Sequence, residues 1–253
     1  MRSLAAPRRT TGLTRRIVTV LAGMNGMVPG HMTAWRWAGI LGSYAFYYLV
    51  LARWTSVTWS LAYFTAATLL HFVYLFGMFR PGGWSRALRQ RSGDEAGYRV
   101  HSGWMAFAFC HNALSIGYIC VATRGLPLLG LAFPADASWR RIAIALGLVV
   151  VGLGIKIWTT LLVGLDAYYY RDLFLERREG PMSAAGPYRW FRNPMYTVGH
   201  LQAYGLALYL GSAWGLVAVA LNQALVLAFN AAIEEPHVRT MQADRLRLAP
   251  DPA

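Results

Sequence analysis

The sequence predicts an all-α, polytopic integral membrane protein of about six transmembrane helices, closed by a C-terminal helical hairpin. Three observations carry that prediction. First, 56% of the 253 residues are hydrophobic and only 14% are charged, and the apolar residues gather in blocks of about 18 to 25, the helix length that crosses a hydrocarbon core. Second, the ten tryptophans and fourteen tyrosines concentrate at block edges, where an interfacial aromatic belt sits. Third, the arginines take sides. With spans at 34–52, 57–79, 103–121, 139–163, 195–212 and 214–232, eighteen arginines fall on one face and four on the other, the pattern of a chain with both termini cytoplasmic. The net charge of +13 therefore reads as orientation and attraction to anionic headgroups, not as nucleic acid binding. Arginine outnumbers lysine 23 to 1, a composition that suggests a GC-rich bacterial genome and a bacterial cytoplasmic membrane.

Residues 1–33 carry five arginines ahead of IVTVLAGMNGMVPG, an apolar run too short and glycine-broken to span. They predict a basic tail with an interfacial segment; the run resembles the first regions of a signal peptide but shows no small-residue cleavage site. The first two spans are joined by ARWTS, short enough to force antiparallel neighbours. His71, in the second span, is expected to be a hydrogen-bonded packing residue. Residues 80–102 read as a polar cytoplasmic loop, opened by Pro81, Gly82 and Gly83 and holding a solvated Asp94 and Glu95. In the third span His111 and Asn112 fall near mid-membrane, where burial demands hydrogen-bond partners on another helix. Cys110 and Cys120 stand ten residues apart on that one span; they cannot pair along a helix, and without a CxxC pair neither metal nor redox chemistry is expected. Residues 122–138 form an outer cap.

The fourth span contains Gly152 and Gly154 as a GxG, with Lys156 two residues on. Two readings stand: small-residue helix packing with a snorkelling lysine, or a surface where a cofactor approaches bare backbone. Residues 166–182 then predict an interfacial helix, with Tyr168, Tyr169 and Tyr170 as belt residues or as a cation-π site for a sulfonium or ammonium group.

The candidate site lies in GPYRWFRNPMY, the long apolar run after it, and EEP. The run holds two spans, 195–212 and 214–232, turned at Gly211 and Ser212, and a two-span hairpin returns to the side it left. Arg192, with Asn193, Pro194 and Tyr196, should therefore meet Glu234 and Glu235 at one membrane face. The glutamates break a local rule, since carboxylates at a helix C-terminus oppose the macrodipole by about 0.3–1 kcal/mol each. A cationic partner or ligand is the natural offset; the plain alternative is a solvated helix end stopped by Pro236.

The ordered set GxG, GPYRWFRNPMYTVG and AAIEEP resembles the integral-membrane methyltransferases that include phosphatidylethanolamine N-methyltransferases and isoprenylcysteine carboxyl methyltransferases. The resemblance covers about 90 residues, 150 to 240. It implies S-adenosylmethionine as cofactor without a Rossmann domain. Gly152 and Gly154 would line its pocket, Arg192, Asn193, Pro194 and Tyr196 its entrance side, and Glu234 and Glu235 would bind its polar groups or their cationic partners. Arg192, Tyr196, Glu234 and Glu235 are the implied catalytic residues. Many members have RHPxY where this chain has RNPMY, so a histidine-specific contact is absent; NPMY with EEP tilts the expectation toward a phospholipid headgroup amine. An ethanolamine nitrogen must lose a proton before attack, and a glutamate with a like-charged neighbour suits that task. The implied organisation is a tail at 1–33, an N-terminal transmembrane region at 34–138, a methyltransferase-like core at 139–240 and a tail at 241–253. Carboxyl methylation by the same machinery, a nicotinamide-dependent membrane reductase and a non-catalytic lipid-binding scaffold stay open as alternatives. No metal is expected, and the oligomeric state is not specified.

Overall fold

Serine and threonine caps start the long helices: Thr33, Ser56, Ser138 and Ser212 each accept a hydrogen bond from the backbone N–H three residues on, which satisfies a donor the first turn leaves open. A computed structural model describes residues 8–28, 31–51, 53–130, 132–133, 138–177 and 185–248. Expectations for 1–7, 178–184 and 249–253 lie outside the described residues. The helices are α1 (Arg8–Met24), α2 (Ala34–Phe46), α3 (Val57–Phe79), α4 (Trp84–Ser92), α5 (Asp94–Ala122), α6 (Trp139–Val163), α7 (Leu165–Tyr168), α8 (Arg171–Leu175), α9 (Leu201–Leu210), α10 (Ala213–Phe229) and α11 (Glu235–Leu248). π turns at Tyr47–Leu51 and Asn230–Glu234 extend α2 and join α10 to α11, and 3-10 turns occupy Gly186–Arg189 and Val198–His200.

The protein is an all-helical integral membrane protein, but the described residues contain four helices long and apolar enough to cross: α3, α5, α6, and α10 continued to Met241. The other two expected spans are not among them. The first, α2 extended by its π turn to Leu51, carries Arg36 and several Trp and Tyr, which make it less apolar than these four. The second, 195–212, becomes α-helical only at Leu201, because its first residues are turned back on themselves around Asn193 and Pro194.

Tight packing at the Ser212 end closes the bundle. Thr123 Oγ1 and Ser212 Oγ are 2.7 Å apart, and Gly125 N–H donates to the Gly211 carbonyl at 3.0 Å. Helices α6 and α9 run side by side; a Cβ at Gly205 would stand 2.6 Å from the Ala145 carbonyl oxygen, and one at Gly152 would collide with the backbone nitrogen of Gln202. At mid-depth the polar residues find partners on other helices. Asn112 donates to Thr68 Oγ1 at 3.3 Å and accepts from Asn222 Nδ2 at 2.7 Å. His111 lies 3.0 Å from Ser43 Oγ and 2.7 Å from Tyr63 OH. The opposite end is filled by an aromatic core that includes Phe79, Tyr98, Tyr169, Phe174 and Phe229.

Several local expectations are overturned. Residues 80–102 are α4 and the first turns of α5, not a loop. Asp94 and Glu95 are exposed, as expected, but they form the first turn of α5, where the macrodipole favours them, and they are also paired: Arg171 reaches Glu95 at 2.8 Å, and Arg177 lies 3.9 Å from Asp94 and 3.7 Å from Glu95. The interfacial helix expected from 166 is instead the two short turns α7 and α8, hinged at Tyr170, with Leu173, Phe174 and Leu175 buried. Tyr169 and Tyr170 are buried rather than in a belt; aromatic rings suit a core as well as an interface, so composition does not separate the two. His71 stacks on Phe72 and meets the edge of Phe109, and neither ring nitrogen has a hydrogen-bond partner. The two cysteines are free and buried.

Candidate functional site

The site is built on two irregular stretches that face one another. In the first, the Asn193 carbonyl accepts from the N–H groups of Tyr196 and Thr197, both at 3.1 Å, and Gly199 N–H donates to the Pro194 carbonyl at 2.8 Å. Gln223 Nε2 donates to the Tyr196 carbonyl at 2.9 Å and, alongside His200 N–H, to the Thr197 carbonyl at 3.3 Å, and Tyr204 OH holds the other end of that amide at 2.7 Å. Backbone that leaves the helix at this depth is satisfied by side chains, as a membrane interior requires.

The second stretch is the π turn at Asn230–Glu234. Pro236 has no N–H, and its ring would crowd the carbonyl four residues back in a regular helix; the wider turn just before it absorbs that conflict. The helix therefore continues to Leu248. This corrects the sequence reading of a helix end at Glu234 and Glu235 stopped by Pro236, and the macrodipole argument made for the pair lapses with it.

The two glutamates have different surroundings. Glu234 Oε2 accepts from Tyr196 OH at 2.9 Å and from Asn230 Nδ2 at 3.0 Å, while Asn193 Nδ2 donates to Asn230 Oδ1 at 2.7 Å. Glu235 Oε1 instead receives the guanidinium groups of Arg192 and Arg239. The hairpin expectation that Arg192 meets the glutamates is thus met through Glu235, and Tyr196 meets Glu234.

Behind this pair sits Tyr170, whose oxygen lies 3.4 Å from that of Tyr196. Its backbone is left-handed, φ 56°, a conformation that costs a non-glycine residue roughly 1–2 kcal/mol and that recurs at functional sites. Packing against Phe79 and Phe229 holds it there. Burial, then the Glu234 carboxylate, push the phenols of both Tyr170 and Tyr196 above their ordinary range.

Two cavities meet at this point. The first, about 280 Å³, lies at the Glu234 end; Asp172, Tyr188, Arg192, Asn193, Glu234 and Glu235 are on its wall. The second, about 500 Å³, is deeper and mostly apolar, and its polar positions include Asn25, Asn112, Lys156, His200, Gln202 and Asn222. Tyr170, Met195 and Tyr196 line both. No Asp or Glu among the described residues lines the deeper cavity, so Lys156 is its full charge. His200 Nε2 lies 3.3 Å from Asn222 Oδ1, which continues the Asn222–Asn112–Thr68 chain into this cavity.

Of the sequence-derived site residues, Arg192, Asn193, Tyr196, Glu234 and Glu235 are brought together on one wall. Pro194 is buried beneath it. Gly152 and Gly154 are on neither wall: Gly152 seats the start of α9, and a Cβ at Gly154 would meet open space. Sequence reasoning missed Asp172 and Asn230, and it offered Tyr170 only as one of three tyrosines that could form a belt or a cation-π site; of the three, Tyr170 is the one on both cavity walls. The signal for Asn230 was available, an amide four residues before Glu234 in an apolar run; Asp172 was hidden in a stretch read as interfacial.

Comparison with known proteins matches residues 140–245 to the family described as phospholipid methyltransferase. The chain is 27% identical over 185 residues to phosphatidylethanolamine N-methyltransferase of Schizosaccharomyces pombe, covering 71% of this chain and 20% of that protein. For the protein of the same name in Schizosaccharomyces japonicus the figures are 25% over 190 residues, 72% and 20%. Phosphatidylethanolamine N-methyltransferase B of Dictyostelium discoideum is 26% identical over 96 residues, covering 38% of this chain and 48% of that protein. The chain thus spans about a fifth of the length of the two fission-yeast relatives. No solved structure matches it. The matched region runs from α6 through α11 and supplies most of the wall around Glu234, so the chain's similarity to the phospholipid methyltransferase family falls on the candidate site itself.

Proposed function

We propose that this chain moves a methyl group from S-adenosylmethionine to the amine of a phospholipid headgroup of the phosphatidylethanolamine type. The observation that carries the proposal is the junction of the two cavities: a small acidic one at the Glu234 end and a deeper apolar one at membrane depth, with Tyr170, Met195 and Tyr196 as their common wall. A reaction between a polar cationic donor and a lipid needs two such chambers meeting at the reacting atoms.

The residues present fit both partners. Glu234 and Asp172 suit a sulfonium and an ammonium alike and would repel a carboxylate acceptor, whereas Glu235 is neutralised by Arg192 and Arg239 on the same wall. Lys156, on the wall of the deeper cavity, complements a lipid phosphodiester. The donor supplies a methyl group on a positively charged sulfur, open to in-line displacement. The amine lone pair forms the new N–C bond as the C–S bond breaks, and the sulfur leaves as a neutral thioether.

The chain's own part is to position, to exclude water and to take a proton. An ammonium cannot attack until it is deprotonated, and Glu234 is the acceptor of that proton. Tyr196 OH and Asn230 Nδ2 hold Glu234 Oε2 in place, so the carboxylate is oriented before substrate arrives. Glu235 has a separate task. Clamped by Arg192 and Arg239, it latches the segment that carries Tyr196 onto α11. Gly152 contributes by letting α9 sit close to α6, which fixes where that segment begins. The arginine bias and composition support a bacterial cytoplasmic membrane, with this site on its cytoplasmic face.

Calorimetric titration of the purified protein with S-adenosylhomocysteine, beside NADPH, tests the donor. Saturable binding of the first alone is expected; binding of NADPH alone would move the protein to a reductase. Transfer of labelled methyl from S-adenosylmethionine into phosphatidylethanolamine vesicles tests the acceptor, and label appearing only in a carboxyl ester would overturn it.

A further inference from the structure

A third cavity, about 750 Å³, lies between α2 and the first turns of α5 and has no wall residue in common with the two described above. It is a groove with a cationic rim and an apolar floor. Ile40, Val100 and Phe107 supply the floor, and Trp35 and Trp104, 87% and 56% exposed, flank it. Tryptophan pairs at this depth mark the headgroup level.

The charge of the rim is Arg36 and Arg99, with the imidazole of His31 beside them, its pKa held below its ordinary range by burial and by Arg36. Arg36 Nη2 donates to the Arg99 carbonyl and, at 3.2 Å, to Ser102 Oγ, and His31 Nδ1 lies 3.2 Å from the same hydroxyl. The guanidinium lies flat on Gly103, where any Cβ would collide with it. Arg36 Nη1 is buried with no hydrogen-bond partner, which is a costly state for a charged donor. No Asp or Glu among the described residues lines the groove. The carboxylates nearest along the chain are committed elsewhere, Asp94 to Arg177 at 3.9 Å and Glu95 to Arg171 at 2.8 Å, and Asp166 accepts from Tyr98 OH at 3.0 Å.

We propose that this groove binds an anionic phospholipid, its phosphate between Arg36 and Arg99 and one acyl chain along the α2–α5 floor. The charge of the wall selects the lipid. A headgroup with an ammonium would find no carboxylate here, in contrast to the acidic cavity at Glu234, so the groove takes a net anion and leaves the amine-bearing acceptor to the other site. An apolar floor at the depth of a guanidinium pair excludes a free phosphate as the fitting occupant. Phosphate–guanidinium pairing is charge-assisted and directional, and it would supply the acceptor that Arg36 Nη1 lacks.

The experiment is native mass spectrometry of the whole protein released from nanodiscs that contain phosphatidylglycerol and phosphatidylcholine in equal amounts. Wild type is expected to retain phosphatidylglycerol preferentially, and Arg36→Gln/Arg99→Gln to lose that preference by about tenfold. Arg86→Gln/Arg91→Gln removes the same charge from α4 and is the control, expected to keep the preference. Arg99→Gln alone, on an exposed side chain, guards against a folding defect and should give an intermediate loss. Equal retention of the two lipids by wild type, or equal loss in the control pair, would overturn the site and leave only diffuse attraction. Binding of S-adenosylhomocysteine is read in the same samples. It should be present in wild type and survive in the groove variants; its absence from wild type would count against the methyl-transfer reading while leaving the lipid preference untouched, so failure of the groove and failure of that reading are separable.

Discussion

The two ends of the same helices are built by opposite rules. Around Ser212, small residues bring backbone against backbone: Gly125 bonds to Gly211, Thr123 to Ser212, and Gly215 stands where any Cβ would strike Cys120 Sγ. Around Glu234 the same chain carries a π turn, a left-handed tyrosine and a 3-10 turn, and the space they leave is two cavities. The first arrangement is what helices in lipid adopt when only packing is at stake. The second costs helical hydrogen bonds whose carbonyls are met instead by the side chains of Gln223 and Thr197, and such backbone persists at membrane depth only where it lines something. The difference teaches that the Glu234 end is shaped for ligands and the Ser212 end for cohesion.

The strongest way to break that comparison is Glu234→Gln. The amide keeps the volume but cannot take the substrate's proton, so the initial rate of methyl incorporation should fall by about 10²–10⁴ while the thermal unfolding midpoint stays near that of wild type. A variant with full activity would remove Glu234 from the chemistry. Tyr196→Phe comes next. Loss of a hydrogen bond to a charged group, about 1.5–3 kcal/mol, should lower kcat by roughly 10- to 100-fold. Its pH dependence carries the sign: burial and Glu234 raise the Tyr196 phenol, so it stays protonated and donating well into alkaline solution. The variant's rate should therefore be lower by the same factor at every pH from about 7 to 9, and a shift of the alkaline limb would instead make Tyr196 the titrating group.

How far this division could be read from sequence depends on what each signal measures. The meeting of Arg192 with the glutamates was legible, because two apolar runs joined at Gly211 and Ser212 must return the chain to its starting face. The partners of His111 and Asn112 were also legible, since mid-membrane polar groups demand them. What hydropathy does not report is backbone class. The run from 195 is apolar enough for a span, yet its first six residues turn around Pro194, and Pro236 reads as a stop although a π turn carries the helix through it. The tyrosine run at 168 to 170 failed for a related reason: rings score alike in a belt and in a core, and the left-handed turn at Tyr170 has no glycine to announce it. Lys156 was visible as a lone lysine, but only the fold places it on a cavity wall that no described carboxylate shares.

Lys156→Met sharpens the comparison inside the Glu234 end. It keeps the stem that packs near Gly199 and removes the charge, so KM for the phospholipid should rise by about fivefold with kcat little changed. An effect on kcat alone would assign Lys156 to the chemical step. At the Ser212 end, Gly215→Val forces overpacking against Cys120 and should lower stability by about 1–3 kcal/mol. Its rate per folded molecule should remain within about twofold of wild type, since the cavities lie at the other end of α10; denaturation monitored beside activity separates the two.

The smallest effect is expected from Arg140→Gln, and it is informative for that reason. The sequence groups Arg140 with Arg141 as two charges on one face, yet the structure divides them. Arg141 is only 8% exposed and packs beside Gly211, so it belongs to the cohesion of that end. Arg140 is exposed and lies over the Trp139 ring, 5.5 Å from its centroid, a surface contact of about 0.5–1 kcal/mol. Replacing it should leave kcat, KM and S-adenosylhomocysteine affinity unchanged and lower the unfolding midpoint by no more than that contact allows. A loss of transfer comparable to Glu234→Gln would mean that the chemistry reaches the Ser212 end, and the division between a cohesive end and a ligand-shaped end would have to be abandoned.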